Sequence, residues 1–533
     1  MAVTTYIILF FQAHLPEILL VVITSFLLYS YSAPGISSVP GPFLAKISHV
    51  WRFINVAQGN AEATLCKLHQ QYGEYVRIGP NVVSISNLET LKVVYGINAR
   101  YRKTDFYRVQ QQMAKGRPTP TLFTTTDEDH HARIKRPISA AYSMSTLTEF
   151  EPFVDKTINT MFSRLDDFVE QGRACDIATW LQYYAFDVIG ELTFSKPLGF
   201  LEQGSDVNGI IAALEKMLNY SGKIGQIPWL DYLFIKNPLK QALGGRSTGA
   251  IAQFARTLLD ERLRKIDDDD KKVSKEVEPQ KHRDFLSRFL EAKERHPNVV
   301  DNDQVFSYTV SNVNAGSDTT AISLRAVMYY TLKDQRVTMR LQQELEQAYN
   351  ENRLSLPASW TQAQSLPYLD AVIKEALRLH PAVGLLLERI VPEEGLQLPN
   401  GGPFIPPGTI VGANPWVIHR HPVFGEEVDT FRPERWLQSD SESDPDFQIR
   451  KQNMIRATFT FGAGPRTCIG KNISLLEIYK LIPSLFLKYQ ACQIKLINPD
   501  SNWETTNAWF VRQKNMDIQL QWRSGHRRLA LYV

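Results

Sequence analysis

The sequence predicts a mainly α fold with a minor β-sheet region (α+β), one large domain behind an N-terminal membrane helix. Three observations carry this. Apolar residues recur at helical spacing over most of the chain, alternating runs bounded by Gly and Pro are few and short, and an uncharged apolar stretch opens the sequence. At 533 residues the chain can bury a large core, and a composition with 44% hydrophobic and 22% charged residues is globular. A net charge of +3 is too balanced to point to nucleic acid. Cys66, Cys175, Cys468 and Cys492 lie far apart with no CxxC pair, which fits neither a disulfide framework nor a zinc site.

Ile18 to Tyr31 carries no charge, and Tyr6 to Phe11 is apolar too, with a polar break at Gln12, His14 and Glu17. Taken together they reach the roughly 20 residues that cross a bilayer. A cleaved signal peptide would want a positive charge ahead of the apolar run and a small-residue cleavage site, and neither is present. The segment Ser37-Ser38-Val39-Pro40-Gly41-Pro42 reads as a stiff prolyl hinge. The expected organisation is an uncleaved anchor over 1–32, a proline-rich hinge over 33–45 and a globular domain over 46–533.

Within that domain, Glu62 to Tyr72 reads as a helix stopped at Gly73. Tyr75 to Ile78 and Val82 to Ser86, joined by Gly79-Pro80-Asn81, read as a β-hairpin. Leu147 to Phe194 has mostly helical spacing. Lys265 to Asp284 is charged and free of aromatics, and reads as a solvated loop. Asp303 to Leu332 gives a long helix, and Thr361 to Leu379 another, ended by Pro381. Gly401 to Pro415 is turn-rich with short β runs. Asn472 to Leu487 is helical and should kink at Pro483.

The most specific segment is Phe461-Gly462-Ala463-Gly464-Pro465-Arg466-Thr467-Cys468-Ile469-Gly470. Its glycines and proline let the backbone turn tightly so that amides can face the sulfur. The following helix begins just beyond Cys468, where the positive end of its dipole favours thiolate over thiol. Arg466 can offer a guanidinium to an anionic group. Taken alone, the loop supports a reactive or buried thiol.

The segment resembles the haem-binding signature of the cytochrome P450 family, F-x-x-G-x-R-x-C-x-G, at Phe461, Gly464, Arg466, Cys468 and Gly470. At about one in twenty per position, such a match arises by chance in roughly one chain in several thousand. The resemblance implies haem b (iron protoporphyrin IX) with Cys468 as axial thiolate ligand to iron, an arrangement that favours O–O cleavage. Ala315-Gly316-Ser317-Asp318-Thr319-Thr320 on the long helix is similar to the family's acid–threonine pattern. It implies that Gly316 lets the helix open and that Asp318 and Thr319 deliver protons. Glu375 and Arg378 match E-x-x-R, and Phe431-Arg432-Pro433-Glu434-Arg435-Trp436 is similar to the segment that supplies its partner, here Arg435. The family's propionate-binding W-x-x-x-R becomes His131 and Lys135, with Arg136 as an alternative, and Arg389 resembles the other propionate arginine.

The resemblance covers about Pro40 to Val533 and looks most like fungal microsomal members, in the style of the pisatin-demethylase-like group. It implies a monooxygenase on the endoplasmic reticulum membrane, single-pass, with its catalytic domain facing the cytoplasm. No GxGxxG nucleotide-binding pattern is present, so electrons would come from NADPH through a separate NADPH–cytochrome P450 reductase, with cytochrome b5 as an optional second donor. Substrate contacts are placed at Tyr107 to Phe123, Ser311 and Asn312, Val383 to Leu387 and Ala508 to Val511, and the apolar run after Pro381 favours a lipophilic small molecule. A haem-thiolate isomerase or dehydratase needing no reductase and a non-catalytic haem-binding protein are the rival readings. The intact Asp318–Thr319 pair counts against both.

Overall fold

The computed structural model of the chain describes residues 2–114, 117–237, 239, 250–271, 284–489, 495–496 and 502–522. Helix α1 (Ala2–Ser32) is continuous through Pro16 and through the polar residues that suggested a break. Its Ala13–Ser32 portion is long and apolar enough to cross a membrane and is almost wholly exposed.

The segment after α1 is seated on the sheet. Ile36 and Val39 are buried, and the Arg77 amide donates to Pro40 O at 2.7 Å. Gly41 lies so close that a Cβ there would come within 2.1 Å of the Arg77 carbonyl oxygen. Arg77 itself is fully buried, and its guanidinium donates to the carbonyls of Ser30, Tyr31 (3.0 Å), Lys46 (3.3 Å) and Pro80 (2.7 Å). A helix leaves its last carbonyls without partners, and a buried cation is well placed to satisfy them. Arg77 therefore clamps the root of α1 to the domain.

Helix α2 (Ala61–Tyr72) ends at Gly73, φ +91°, as its sequence indicated. Strands β1 (Tyr75–Gly79) and β2 (Val82–Ile85) form the expected hairpin. They join β3 (Arg389–Ile390) and β4 (Ile410–Gly412) in a four-stranded sheet of order β1-β2-β4-β3, with β2 and β4 parallel and the other pairs antiparallel. The short helix α3 (Glu128–Lys135) is capped by Asp127, which accepts from the His130 amide.

The core is helical. Helix α5 (Ile177–Phe194), preceded by α4 (Glu151–Glu170), is buried from Tyr183 through Phe194 and packs along the long helix α8 (Asn302–Lys333). Helix α6 (Ile210–Ile224) follows α5, and α7 (Ala250–Lys271) comes next. Lys265 to Lys271, expected to open a solvated loop, form the end of α7 instead. The rest of that expected loop lies outside the described residues.

The single helix expected over Thr361 to Leu379 is two, α9 (Trp360–Gln364) and α10 (Pro367–Leu379). Pro367 takes the first turn of α10, where its missing N–H costs nothing. Helix α11 (Lys471–Lys488) continues past Pro483. The hairpin of β5 (Glu504–Asn507) and β6 (Val511–Lys514) closes over the end of α10, where Gly384 N donates to Trp509 O at 2.9 Å and Val511 N to Ala382 O at 2.8 Å.

Replacing Arg77 with Ala would strand buried carbonyls at about 1–3 kcal/mol each. The expected result is a chemical-denaturation midpoint well below that of the parent protein.

Candidate active site

The loop from Phe461 to Gly470 is shaped by its glycines. Gly462 and Gly464 both have φ +67°, and a Cβ on Gly464 would meet the Tyr95 carbonyl oxygen at 2.0 Å. The Cys468 amide donates to Phe461 O at 2.9 Å, closing the loop on itself. The sulfur receives the amides of Gly470 and Lys471. Cys468 keeps exposed surface, yet burial pushes its thiol up, opposed by those amides and by Lys135 and Lys471. Exposure and desolvation together describe a sulfur facing a space walled by protein. Burial outweighs the amides at the start of the following helix. A bound metal cation is what would tip the group to thiolate.

Across from the loop runs α8. Ser311, Ala315 and Thr319, spaced four apart on one face, keep accessible surface, as do Asn314 and Gly316 on either side of Ala315. Thr320 bonds to Ser474 at 3.1 Å, tying this part of α8 to α11, just after Cys468. Thr319 Oγ1 donates to Ala315 O at 2.8 Å. The helix does not open at Gly316. A Cβ there would sit 3.0 Å from Ile189, so the missing side chain lets α5 and α8 approach closely.

Asp318 is not free to meet water. It is fully buried, accepts from Gln182 at 2.8 Å and takes Arg512 Nη2 and Nε at 2.6 and 2.9 Å. Arg512, on β6, was not singled out from the sequence; it lies 194 residues from its partner.

Lys135, Arg389 and Arg466, named from the sequence, stand around His131 together with Lys103. Arg389, buried on β3, stacks on Tyr95 at 5.0 Å and donates to Glu388 O at 2.9 Å. It forms an antiparallel bridge with Lys103, which puts both side chains on one face. Lys103 is buried, donates to Phe123 O at 2.6 Å and stands 4.1 Å over the rings of Tyr107 and Phe123. Burial, then Arg389 and Arg466, hold its ammonium well below the ordinary lysine range.

Lys135 reaches Pro465 O at 2.6 Å. Arg466 is paired with Glu128 at 2.8 and 2.9 Å. His131 is no cation: burial and the neighbouring Arg466, Lys135, Lys103 and Arg389 push it down to about 3, so it offers a neutral N–H. Arg136 is exposed. Lys103, Arg389 and Arg466 bring buried nitrogen donors together beside Glu128 and Glu388, each already paired with an arginine, and the carboxylates of a cofactor such as haem fit this lining. Lys103 left no local signal, because its role comes from a bridge to a strand far along the chain.

Behind the loop, Glu375 receives Arg378 through two bonds of 2.8 Å, Arg435 Nε at 3.1 Å, Trp436 Nε1 at 2.9 Å and the Arg432 amide at 3.2 Å. Arg378 also donates to the carbonyls of His419 (2.8 Å) and Val428 (2.6 Å), and Arg435 to those of Phe424, Glu426 and Glu427. Trp436, named in the sequence only as the end of its segment, and His419, not named there, are further members. His419 Nδ1 donates to Arg378 O at 2.8 Å, and its Nε2 accepts the Phe459 amide at 2.8 Å, two residues before the cysteine loop begins. Burial pushes His419 down to about 3, which keeps it in the neutral form this bridge requires.

The substrate candidates are partly brought together. Tyr107, Phe123 and Trp509 form one aromatic cluster, and Val383 bridges Phe510. Asn312 faces inward, but its oxygen is taken by Tyr142 at 2.5 Å.

Comparison with known proteins decides the family. The cytochrome P450 family model matches residues 40–519, which takes in the cysteine loop, α8 and the Glu375 cluster. The chain belongs to the cytochrome P450 family. It is 41% identical over 492 residues to the protein named cytochrome P450 monooxygenase cicH of Emericella nidulans, covering 92% of this chain and 94% of that one. It is 41% identical over 461 residues to a cytochrome P450 monooxygenase of Aspergillus terreus, covering 86% and 91%. A crystal structure of a cytochrome P450 superposes with a TM-score of 0.68 at 17% identity, covering 88% of this chain and 96% of that one, which shows the fold. The chain is thus a P450 monooxygenase, and the rival isomerase and carrier readings receive no support from these relatives.

The Glu375 cluster has a pH signature. Burial raises this carboxyl, but the Arg378 and Arg435 contacts outweigh it and the net direction is down. A group depressed in the folded state stabilises fully above its unfolded value of 4.5, and that contribution is lost as pH falls through the lower folded value. Glu375→Gln should cost about 3–5 kcal/mol at neutral pH. Its midpoint-against-pH curve should be flatter below pH 4.5 than the parent's; parallel curves would contradict the assignment.

Proposed function

We propose that this P450 inserts one atom of dioxygen into a lipophilic small molecule of fungal secondary metabolism, with electrons from NADPH through a separate membrane-bound reductase. The observation that carries it is the face of α8 on which Ser311, Ala315 and Thr319 keep accessible surface, joined to the helix after the cysteine loop through Thr320 and Ser474. When bound, haem b supplies the reductive activation of dioxygen. The substrate RH then becomes ROH, while the second oxygen leaves as water with the electrons and protons of NADPH and H⁺.

The chain's own residues do the rest. Cys468 holds the iron, with the Gly470 and Lys471 amides set against its sulfur. Arg389, Lys103 and Lys135 would hold the propionates, with Arg466 delivering charge already shared with Glu128. Thr319 presents a hydroxyl on the accessible face, and Asp318 next to it is the proton source. The aromatic cluster of Tyr107, Phe123 and Trp509, with Val383 to Leu387, gives the apolar wall that favours a lipophilic substrate. Helix α1 fits a single-pass anchor in the endoplasmic reticulum with the domain on the cytoplasmic side, where the reductase, and cytochrome b5 as a second donor, would meet it.

Two substitutions test the reading. Cys468→Ser should abolish the red-shifted Soret band of the reduced, carbon-monoxide-bound protein; a retained band would remove Cys468 as the ligand. Thr319→Ala should keep that band but divert electrons to peroxide, read as hydrogen peroxide formed per NADPH in the reductase-coupled system. Unchanged peroxide yield would take Thr319 out of the proton path.

A further inference from the structure

Helix α8 leaves a line of polar side chains unsatisfied on one side. Several of its hydroxyls are tied down locally: Thr309, Ser317 and Thr319 each donate to the carbonyl four residues earlier at 2.8 Å, and Ser323 does so at 2.9 Å. Ser307 and Ser311 lack that bond. Ser307 Oγ and Gln304 Nε2 are buried and meet no partner among the described residues. The side chains of Ser311 and Asn314 keep accessible surface and make no hydrogen bond to another described residue.

Gln304, Ser307, Ser311 and Asn314 stand at i, i+3, i+7 and i+10, the spacing that keeps residues on one face of a helix. Ala315 and Thr319 carry that face on to the level at which Thr320 bonds Ser474 of α11. Other sides of the same stretch are packed, with Val305, Thr309, Val310 and Val313 buried. A buried donor with no acceptor is costly, and a helix that faces a ligand can recover the cost when the ligand supplies the missing atom.

The chemistry of that ligand follows from what the face lacks. From Gln304 to Ser317 the helix carries no charged side chain, so an ionised carboxylate held there would be buried without a counter-charge. The groups present donate and accept neutral hydrogen bonds, which suits a carbonyl, a lactone or a hydroxyl. The aromatic cluster of Tyr107, Phe123 and Trp509 asks for an apolar body on the same molecule. At about 1.5 Å of rise per residue, Asn314 lies roughly 7–8 Å along the axis from Thr319, and Ser311 roughly 12 Å. An oxygen held at either residue therefore sets a carbon several bonds away beside Thr319.

We propose that Gln304, Ser307, Ser311 and Asn314 form a hydrogen-bonding rail that selects a neutral, oxygen-bearing apolar substrate over a plain hydrocarbon or a carboxylate, and fixes which of its carbons stands beside Thr319. This rests on the proposed reading of that face as the substrate side. A site built to hydrogen-bond a substrate oxygen discriminates against the analogue that lacks it, because its own polar groups are then left unpaired.

The test uses the haem-loaded, full-length protein and four probes on one skeleton: tetralin, 1-tetralone, 6-hydroxy-1-tetralone and the carboxylate of tetrahydronaphthoic acid. Binding is read as the change in the haem Soret band on titration, for the parent and for Ser307→Ala, Ser311→Ala and Asn314→Leu. The deciding quantity is the ratio of hydroxytetralone to tetralin affinity, which a general loss of packing would leave in place. The parent should bind the hydroxytetralone at least as tightly as tetralin, although tetralin is the more apolar, and should bind the carboxylate most weakly. At least Ser311→Ala and Asn314→Leu should each lower the ratio about fivefold, the factor one net neutral hydrogen bond supplies, while tetralin binding holds or tightens.

An unchanged ratio in all three variants overturns the rail while leaving the substrate side where it was placed. A carboxylate bound as tightly as the hydroxytetralone overturns the neutral class. If no probe shifts the band of the parent, the reading of this face as the substrate side fails, and the rail fails with it.

Discussion

A carboxylate sealed from solvent must be answered by cations, and those cations must in turn find partners for every remaining N–H. Glu375 imposes this demand at the end of α10, and much of the surrounding structure is arranged to meet it. Its two oxygens take Arg378, Arg435, Trp436 and a backbone amide. The spare donors of Arg378 and Arg435 then gather the carbonyls of residues 419 to 430, an irregular stretch with no ladder of its own. From there His419 carries the constraint to Phe459, and the cysteine loop starts two residues on. The position of Cys468 thus depends on a charge balance struck well behind it. Such a cluster is poor value as net stability, but it admits few alternative geometries, which is what a loop presenting one sulfur needs.

The same electrostatic logic organises the opposite side of the site. Lys103 and Arg389 face each other across a single β-bridge, and Arg466 and Lys135 stand nearby. Like charges placed directly opposite are unfavourable unless an anion joins them. A family that binds a dicarboxylate cofactor supplies that anion, so the chain's unbalanced charge and its cofactor explain each other. Asp318 and Arg512 show the complementary case, a balanced pair sealed inside the protein.

Some of this was legible in the linear sequence. Helices α2, α5, α8 and α11 and the β1–β2 hairpin follow from apolar spacing, and Gly73 marks its helix end because positive φ favours glycine. The cysteine loop, Glu375 with Arg378, and Asp318–Thr319 were legible because each is a short pattern whose members sit within one turn or one loop. Less legible were features decided by competing local chemistry. Pro367 splits an apparently single helix by serving as a first-turn residue, and Gly316, which suggested an opened helix, instead admits Ile189 of α5.

What the amino-acid order by itself determined is the set of local elements, the apolar N-terminal helix and the motif residues, because periodicity and short-range spacing are properties of neighbours in the chain. What only the tertiary structure decided is which charges meet. Arg512 reaches Asp318, Lys103 faces Arg389, His419 links Arg378 to Phe459, and burial with the surrounding cations pushes His131 down. Each joins segments far apart in the chain. Their energies depend on burial and separation in space, quantities that come into being only when the helices pack.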